Sequence, residues 1–227
     1  MIFFVTGTDT GIGKTCATAL LARGFRALGM RVALQKPVQT GATSPEDLKL
    51  AARIAGLKLP ARELSCPYVF SYPAAPETAA ALEGQKIDLL RLKRAAEELS
   101  RSYDVVLIEG AGGLYVPLTQ EDTILDFINL LMCPVFVVSA ARLGTINHTV
   151  LTVNALKQRG LYLAGLLYNW HFATDKFLAR KSLEDIRRLT GVEDILEFPT
   201  IREHIPEELL EEVVSFLKKV TTPRFDF

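Results

Sequence analysis

The chain has 227 residues, 49% of them apolar, and carries 26 lysines and arginines against 26 aspartates and glutamates. That length suits one large α/β domain or two small ones with a sizeable core, and a formal charge of zero removes the electrostatic case for nucleic acid or an anionic membrane as main partner. The three cysteines, Cys16, Cys66 and Cys133, fit neither a metal-binding spacing nor a disulfide framework, so a reducing cytoplasm is the expected setting.

Ile2 to Val5 is an apolar run with no basic segment before it and no small-residue cleavage site after it. It reads as a buried strand and not as a signal peptide. A helix rich in Ala and Leu follows over residues 14–28, ended by Gly29. Residues 31–35 read as a second strand stopped by Pro37, and residues 45–55 as a helix closed by Gly56. The stretch 60–85 holds Pro67, Pro73 and Pro76 and reads as irregular chain wrapping a surface. Beyond it the pattern is regular: helix 89–100, strand 104–108, short helix 123–131, strand 135–139, helix 146–159 ended by Gly160, strand 162–168, helix 176–190, strand 195–198 and helix 207–220 after Pro206. The apolar run 128–141 is broken by Asn129 and Pro134 and is too short to span a bilayer.

Short apolar strands alternating with helices predict an α/β fold, a mostly parallel sheet covered by helices on both faces. No linker or internal repeat divides the chain, so the expectation is one domain over residues 1–220 and a tail, 221–227, whose Phe225 and Phe227 are candidates to dock on a neighbour.

The strongest motif is Gly7-Thr8-Asp9-Thr10-Gly11-Ile12-Gly13-Lys14-Thr15, set between a strand and a helix. Glycines let the backbone turn its N–H groups inward, and the helix that follows aims its positive end at the same point. Lys14 supplies a mobile cation for the β and γ oxygens of a nucleotide, and Thr15 a hydroxyl for Mg²⁺. The spacing is irregular: the usual pattern puts its first glycine at position 8, which is Thr8, and Gly7 comes one residue early.

Three further residues bear on that loop. Glu109 ends the apolar strand that begins at Asp104 and precedes Gly110-Ala111-Gly112-Gly113. In open α/β sheets ligands bind beyond the carboxyl ends of the strands, which makes Glu109 either an Mg²⁺ ligand or a solvated strand-end acid. Lys36 ends the second strand and is either an anion clamp or a surface lysine. Asp47, in Ser44-Pro45-Glu46-Asp47, fits a capping box with Ser44 as N-cap and Asp47 at the third helical position.

These pieces together resemble the dethiobiotin synthetase family, ATP-dependent ring-closing enzymes of biotin synthesis with a P-loop NTPase-like fold. The resemblance rests on residues 7–15, on Lys36-Pro37-Val38, on Glu109 to Gly113 and on Leu143-Gly144-Thr145-Ile146-Asn147-His148, with weaker echoes at Leu163-Ala164-Gly165, Asn169 and Phe198-Pro199. It covers almost the whole chain, and the family keeps the early glycine.

The resemblance implies roles position by position. Gly11, Ile12, Gly13, Lys14, Thr15 and Cys16 cradle the ATP phosphates. Thr15, Asp47 and Glu109 surround Mg²⁺, with Gly110, Ala111 and Gly112 beside them. Lys36 is the catalytic lysine next to a carbamate, assisted by Lys14. Thr40 stands where the family often has serine and faces the diamine substrate. Asn169 contacts adenine, helped by Trp170, Pro199, Thr200, Ile201 and Glu203. Trp170-His171-Phe172 is more apolar than the family's usual surroundings of the base, and the lone Trp170 reads first as packing. Gly144, Thr145 and Asn147 open a helix near a dimer interface and hold the substrate carboxylate. The implied partners are 7,8-diaminononanoate, CO2 or bicarbonate, ATP and a second copy of the chain.

A nucleotide-switch ATPase of the chromosome-partitioning or division-site class is the competing expectation. That class usually has a lysine where this chain has Asp9, and a basic or amphipathic surface that a neutral chain lacks. An amidotransferase-linked ligase of cobalamin synthesis is a third, but the chain has no cysteine-centred glutaminase motif. His148, His171 and His204 read as local or interface hydrogen-bonding groups.

Overall fold

In the computed structural model, residues 1–202 and 204–221 are described. The apolar runs become a six-stranded sheet ordered β2-β5-β1-β6-β7-β8, in which every pairing is parallel. The strands are β1 (Ile2–Gly7), β2 (Val32–Gln35), β5 (Val105–Glu109), β6 (Val135–Ala140), β7 (Leu163–Asn169) and β8 (Ile195–Phe198). A separate two-stranded parallel pair joins β3 (Val38–Gln39) to β4 (Tyr68–Val69).

Both faces of the sheet are covered, and residue parity sorts the strand side chains between them. Phe3, Val5, Val105, Leu107, Phe136 and Val138 join the core under α1 (Lys14–Ala27), α2 (Glu46–Ala55) and α9 (Glu207–Thr221). Phe4, Val106, Ile108, Val135 and Val137 join the opposite core, with α4 (Pro76–Leu82), α5 (Leu89–Ser102), α6 (Ile124–Leu131), α7 (Thr145–Gln158) and α8 (Lys176–Thr190). On the first face Phe3 lies 5.4 Å from both Phe25 and Phe136, ring centroid to centroid. On the same face α1 and α9 approach closely enough that a Cβ on Gly24 would stand 2.5 Å from Val213 Cγ1.

The stretch expected to be irregular is partly ordered. It contains α3 (Arg62–Ser65), β4 and α4. The two residues of β4 form a strand only because β3 lies alongside, a pairing that no local pattern announces. The helix at α2 begins at Glu46, not Pro45, and Pro45 is its N-cap with no side-chain cap. The capping box expected at Ser44–Asp47 is therefore absent. The Ser44 hydroxyl bonds the Glu46 carboxylate and accepts from Lys49, and the Asp47 carboxylate is drawn to Lys36. A true capping box closes instead at α6, where Thr123 and Asp126 exchange bonds of 2.9 and 3.4 Å. The last helix runs to Thr221, and the tail residues Phe225 and Phe227 lie outside the described residues, as does Glu203. Among the described residues no helix is long and apolar enough to cross a membrane.

Candidate functional site

All six strands of the main sheet run the same way, so Gly7, Lys36, Glu109, Ala140, Asn169 and Phe198 arrive at one edge. Strand order reverses direction about β1, and the phosphate loop springs from that position. The loop is held by Thr8, whose N–H donates to Val138 O at 3.0 Å, and by left-handed backbone at Gly11 (φ 70°) and Gly13 (φ 94°). The early glycine has a steric cause. A Cβ on Gly7 would stand 2.8 Å from Ile12 Cδ1 and 3.1 Å from Lys14 Cδ, so a side chain at position 7 would push the Ile12 side chain out of place.

Lys14 opens α1 and is buried, with Nζ donating to the Asp9 carbonyl at 2.8 Å. Burial, together with the neighbouring Lys36 charge, pulls its pKa down to about 8, although Glu109, Asp47 and Asp9 pull the other way. Its relation to the loop is that of a cation bent back over a cradle of N–H groups, the arrangement that receives polyphosphate.

Lys36 is not a surface lysine. Its side chain is buried, and Nζ donates to Asp47 Oδ2 at 2.5 Å and to Glu109 Oε1 at 2.7 Å. Burial disfavours the ammonium, but the Glu109 and Asp47 carboxylates more than offset it and hold the pKa above the ordinary lysine value. Thr15 joins the same cluster by donating its hydroxyl to Glu109 Oε1 at 3.0 Å. Glu109 is therefore not a solvated strand-end acid: it is 1% exposed, and its second oxygen, Oε2, is buried without a partner. A buried acceptor left open is costly unless something fills it.

The residues expected to hold Mg²⁺ thus converge: two carboxylates and a hydroxyl around one point beside the loop. Such a set of hard oxygen donors fits a divalent cation shared with phosphate oxygens, and Glu109 Oε2 is a buried acceptor without a partner among them. No cluster of three or more His, Cys, Asp or Glu able to hold a metal by itself is found among the described residues.

On the other flank, Asn169 Nδ2 donates to Ile12 O at 2.9 Å, and Asn169 Oδ1 accepts from the His171 N–H at 3.0 Å. Asn169 therefore braces the loop with one end of its amide and the turn after β7 with the other. Cys16 Sγ lies 3.8 Å from Ile201 O, which brings Ile201 to the helix α1 start; its thiol pKa is raised by burial and by Glu109. Thr200 follows Pro199 and pairs with His171 Nδ1 at 2.8 Å. Trp170 is not brought to the loop. Its ring packs edge-on against Tyr168 and beneath Arg180, and Nε1 donates to Glu197, in the core on the opposite face of the sheet from Ile12.

Around the carboxylates, Gly110 packs so tightly on Phe4 that a Cβ would meet its ring at 2.8 Å. Gly112 has φ 65° and abuts Val116 and Thr10, with Ala111 between the two glycines. Thr40 sits between β3 and α2, its carbonyl accepting from Gln39 Nε2 at 3.1 Å. Gly144 is the left-handed N-cap of α7 at φ 89°. The Thr145 hydroxyl is turned inward into a buried chain with Ser139 and Thr149, so of the expected carboxylate-binding group Asn147 is the one whose side chain has no such commitment. His148 lines an open groove of about 540 Å³ with Thr8, Thr10, Gly113 and Tyr115.

Two site-edge residues were not foreseen. Arg142 pairs with the Asp9 carboxylate and ties the β6–α7 turn to the phosphate loop. Gln39 Oε1 accepts from the Asp47 N–H at 3.3 Å and aims α2 at Lys36. Position after a strand end is a signal for Arg142; nothing local marks Gln39.

Residues 2–208 match the family model described as an AAA domain. An ATP-dependent dethiobiotin synthetase of Anaeromyxobacter dehalogenans is 43% identical over 86% of this chain and 88% of its own length. One of Chlorobaculum tepidum is 41% identical over 82% and 79%, and one of Haemophilus influenzae 39% identical over 79% and 96%.

This chain belongs to the dethiobiotin synthetase family.

Among solved structures, the fold is similar to the MinD cell division protein of Aquifex aeolicus, alone and in its complex with MinC. The TM-score is 0.54 in each case, over 95% of this chain, at 16 and 17% identity. Likeness at that identity establishes a shared fold and leaves the chemistry to the site.

Proposed function

We propose that this chain closes the ureido ring of dethiobiotin from 7,8-diaminononanoate, CO2 and ATP, releasing ADP and phosphate. Membership of the family supports the reaction. The observation that carries it in the site is the buried Lys36 ammonium, 2.7 Å from the same Glu109 oxygen that Thr15 of the phosphate loop engages. A second lysine at the phosphate transfer point suits a reaction in which two anions, ATP and a carbamate, must meet.

The chemistry needs no protein nucleophile. One amine takes up CO2 as a carbamate; a carbamate oxygen attacks the γ-phosphorus of ATP; the second amine then attacks the carbonyl carbon of the mixed anhydride and expels phosphate. The chain's part is positioning and charge neutralisation. Lys14 and the N–H groups of residues 11–16 receive the phosphates. Lys36 holds the carbamate in line with them. Thr40 faces the diamine, and the α7 start at Gly144–Asn147 receives its carboxylate. Asn169, Pro199, Thr200 and Ile201 border the adenine. Thr15, Asp47 and Glu109 would hold Mg²⁺, which when bound supplies charge neutralisation at the β and γ oxygens. A homodimer working in the cytoplasm completes the reading.

Incubation with ATP, Mg²⁺, bicarbonate and 7,8-diaminononanoate should yield dethiobiotin by mass. ATP turnover indifferent to the diamine overturns the proposal. Lys36→Ala should abolish ring closure and leave nucleotide binding largely intact. The switch-ATPase reading gains nothing from the MinD likeness, which extends to the fold alone.

A further inference from the structure

We infer that Lys36 is the resident counter-ion of the Asp47–Glu109 pair and is displaced from it when a divalent cation enters, so that metal loading is what frees its ammonium for the second substrate. The inference rests on the proposed function and adds an order of events to it.

The geometry is specific. Lys36 Nζ sits between Asp47 Oδ2 and Glu109 Oε1, at 2.5 and 2.7 Å. These are the two carboxylates that, with Thr15, offer the hard oxygen donors of the site. Glu109 is buried in the floor of the sheet edge, and a charge buried there is costly without an opposite charge beside it. Lys36 supplies that opposite charge. It also occupies Oε1 together with Thr15, which leaves Glu109 Oε2 without a partner.

A divalent ion bound by the same carboxylates would stand within contact distance of the ammonium. Like charges that close repel strongly where water is scarce, and the carboxylates cannot satisfy both. The ammonium has a flexible four-carbon stem anchored at the carboxyl end of β2, so it can swing while Glu109 stays fixed at the end of β5. Lys14 blocks the direction towards the loop, because it is a second buried cation already hydrogen-bonded to Asp9 O. The swing therefore leads away from the phosphates' own lysine, towards the place where the second substrate's anion must lie. An empty metal site and an available Lys36 are mutually exclusive, and the carbamate meets its lysine only after the cation is in place.

The test is MgCl2 alone, without nucleotide, titrated calorimetrically into wild type and Lys36→Met. The variant removes the competing cation, so it should bind Mg²⁺ about tenfold more tightly or better. Its melting temperature, lowered by two unpaired carboxylates, should recover on adding MgCl2 by more than wild type gains. Equal affinity, or weaker affinity in the variant, overturns the inference. Should Lys36→Met fail to fold, wild type labelled with ¹⁵N at lysine Nζ replaces it. MgCl2 should shift the Lys36 ammonium signal, and Asp47→Asn should raise the MgCl2 concentration needed. A Lys36 signal unmoved by MgCl2 overturns the inference. Formation of dethiobiotin alongside an unmoved signal would leave the proposed function standing, whereas a shifted signal without dethiobiotin would remove the function and keep the exchange.

Discussion

Asn169 lies against Gly13 so closely that a Cβ at position 13 would stand 2.3 Å from Asn169 Nδ2, while that same nitrogen donates to Ile12 O at 2.9 Å. The end of β7 is therefore a buttress for the phosphate loop, and Gly13 is constrained twice, by its neighbour and by its φ of 94°.

Gly13→Ala should weaken ATP binding severely, because relief of the clash moves the loop. Asn169→Ala should lower stability by about 1–3 kcal/mol through the orphaned Ile12 carbonyl, and weaken ATP binding as well. Chemical unfolding with and without ATP measures both. An Asn169→Ala protein with wild-type ATP affinity would show that the loop holds its shape unaided.

Lys14 makes ATP binding depend on pH. Burial depresses its pKa from 10.5 to about 8. Between those values the unfolded chain binds more protons than the folded one, so the Lys14 contribution to stability rises with pH across that window. Polyphosphate favours the ammonium, so ATP affinity should be full below about pH 8 and decline above it. Calorimetry at pH 7 and pH 9 reads the difference, and Lys14→Met should flatten it. An affinity constant across that range in wild type contradicts the assignment.

Arg142 and Asp9 are both partly exposed, so their ion pair contributes little stability, on the order of 0–1 kcal/mol. Its importance is positional, since Asp9 also receives Lys14 through its carbonyl. Arg142→Ala should leave the melting temperature nearly unchanged and raise KM for ATP several-fold, with Arg142→Lys recovering much of the loss. A large fall in melting temperature with unchanged KM would make the pair structural only.

Gly24 sits where α1 meets α9, and a Cβ there would stand 2.5 Å from Val213 Cγ1 and 2.7 Å from Leu217 Cδ1. Gly24→Ala should destabilise by about 1–3 kcal/mol in urea unfolding despite alanine's better helix propensity. A stabilised variant would mean that α9 yields easily.

Much of the site was legible because the chemistry lies at strand ends, where alternation of apolar strands and helices locates residues without any contact information. Lys36 and Glu109 were found that way, whereas Asn169 came only from the family resemblance. Asp47 was ambiguous because its local pattern matched a cap; only the ion pair with Lys36, made across the fold, separates the two readings. Arg142 was missed for the same reason, its partner Asp9 being remote in sequence. The 60–85 stretch was misread because β4 is two residues long and exists by pairing with β3. Trp170 followed its neighbour Asn169 in sequence, but it opens a 3-10 turn after the end of β7, and its ring packs on Tyr168 in the other core.

The parallel ladder around β1 has a consequence for the order in which the molecule comes into being. Phe3 pairs with Leu107, and Val5 with both Glu109 and Phe136. The phosphate loop precedes both of its lateral supports, β5 and β6, in the chain, so those supports are made much later. Such long-range pairings pay a large closure entropy before they are rewarded, which slows folding. During synthesis, residues 7–15 must wait as an open segment until β6 has emerged, and the nucleotide cradle is assembled late although it is written early.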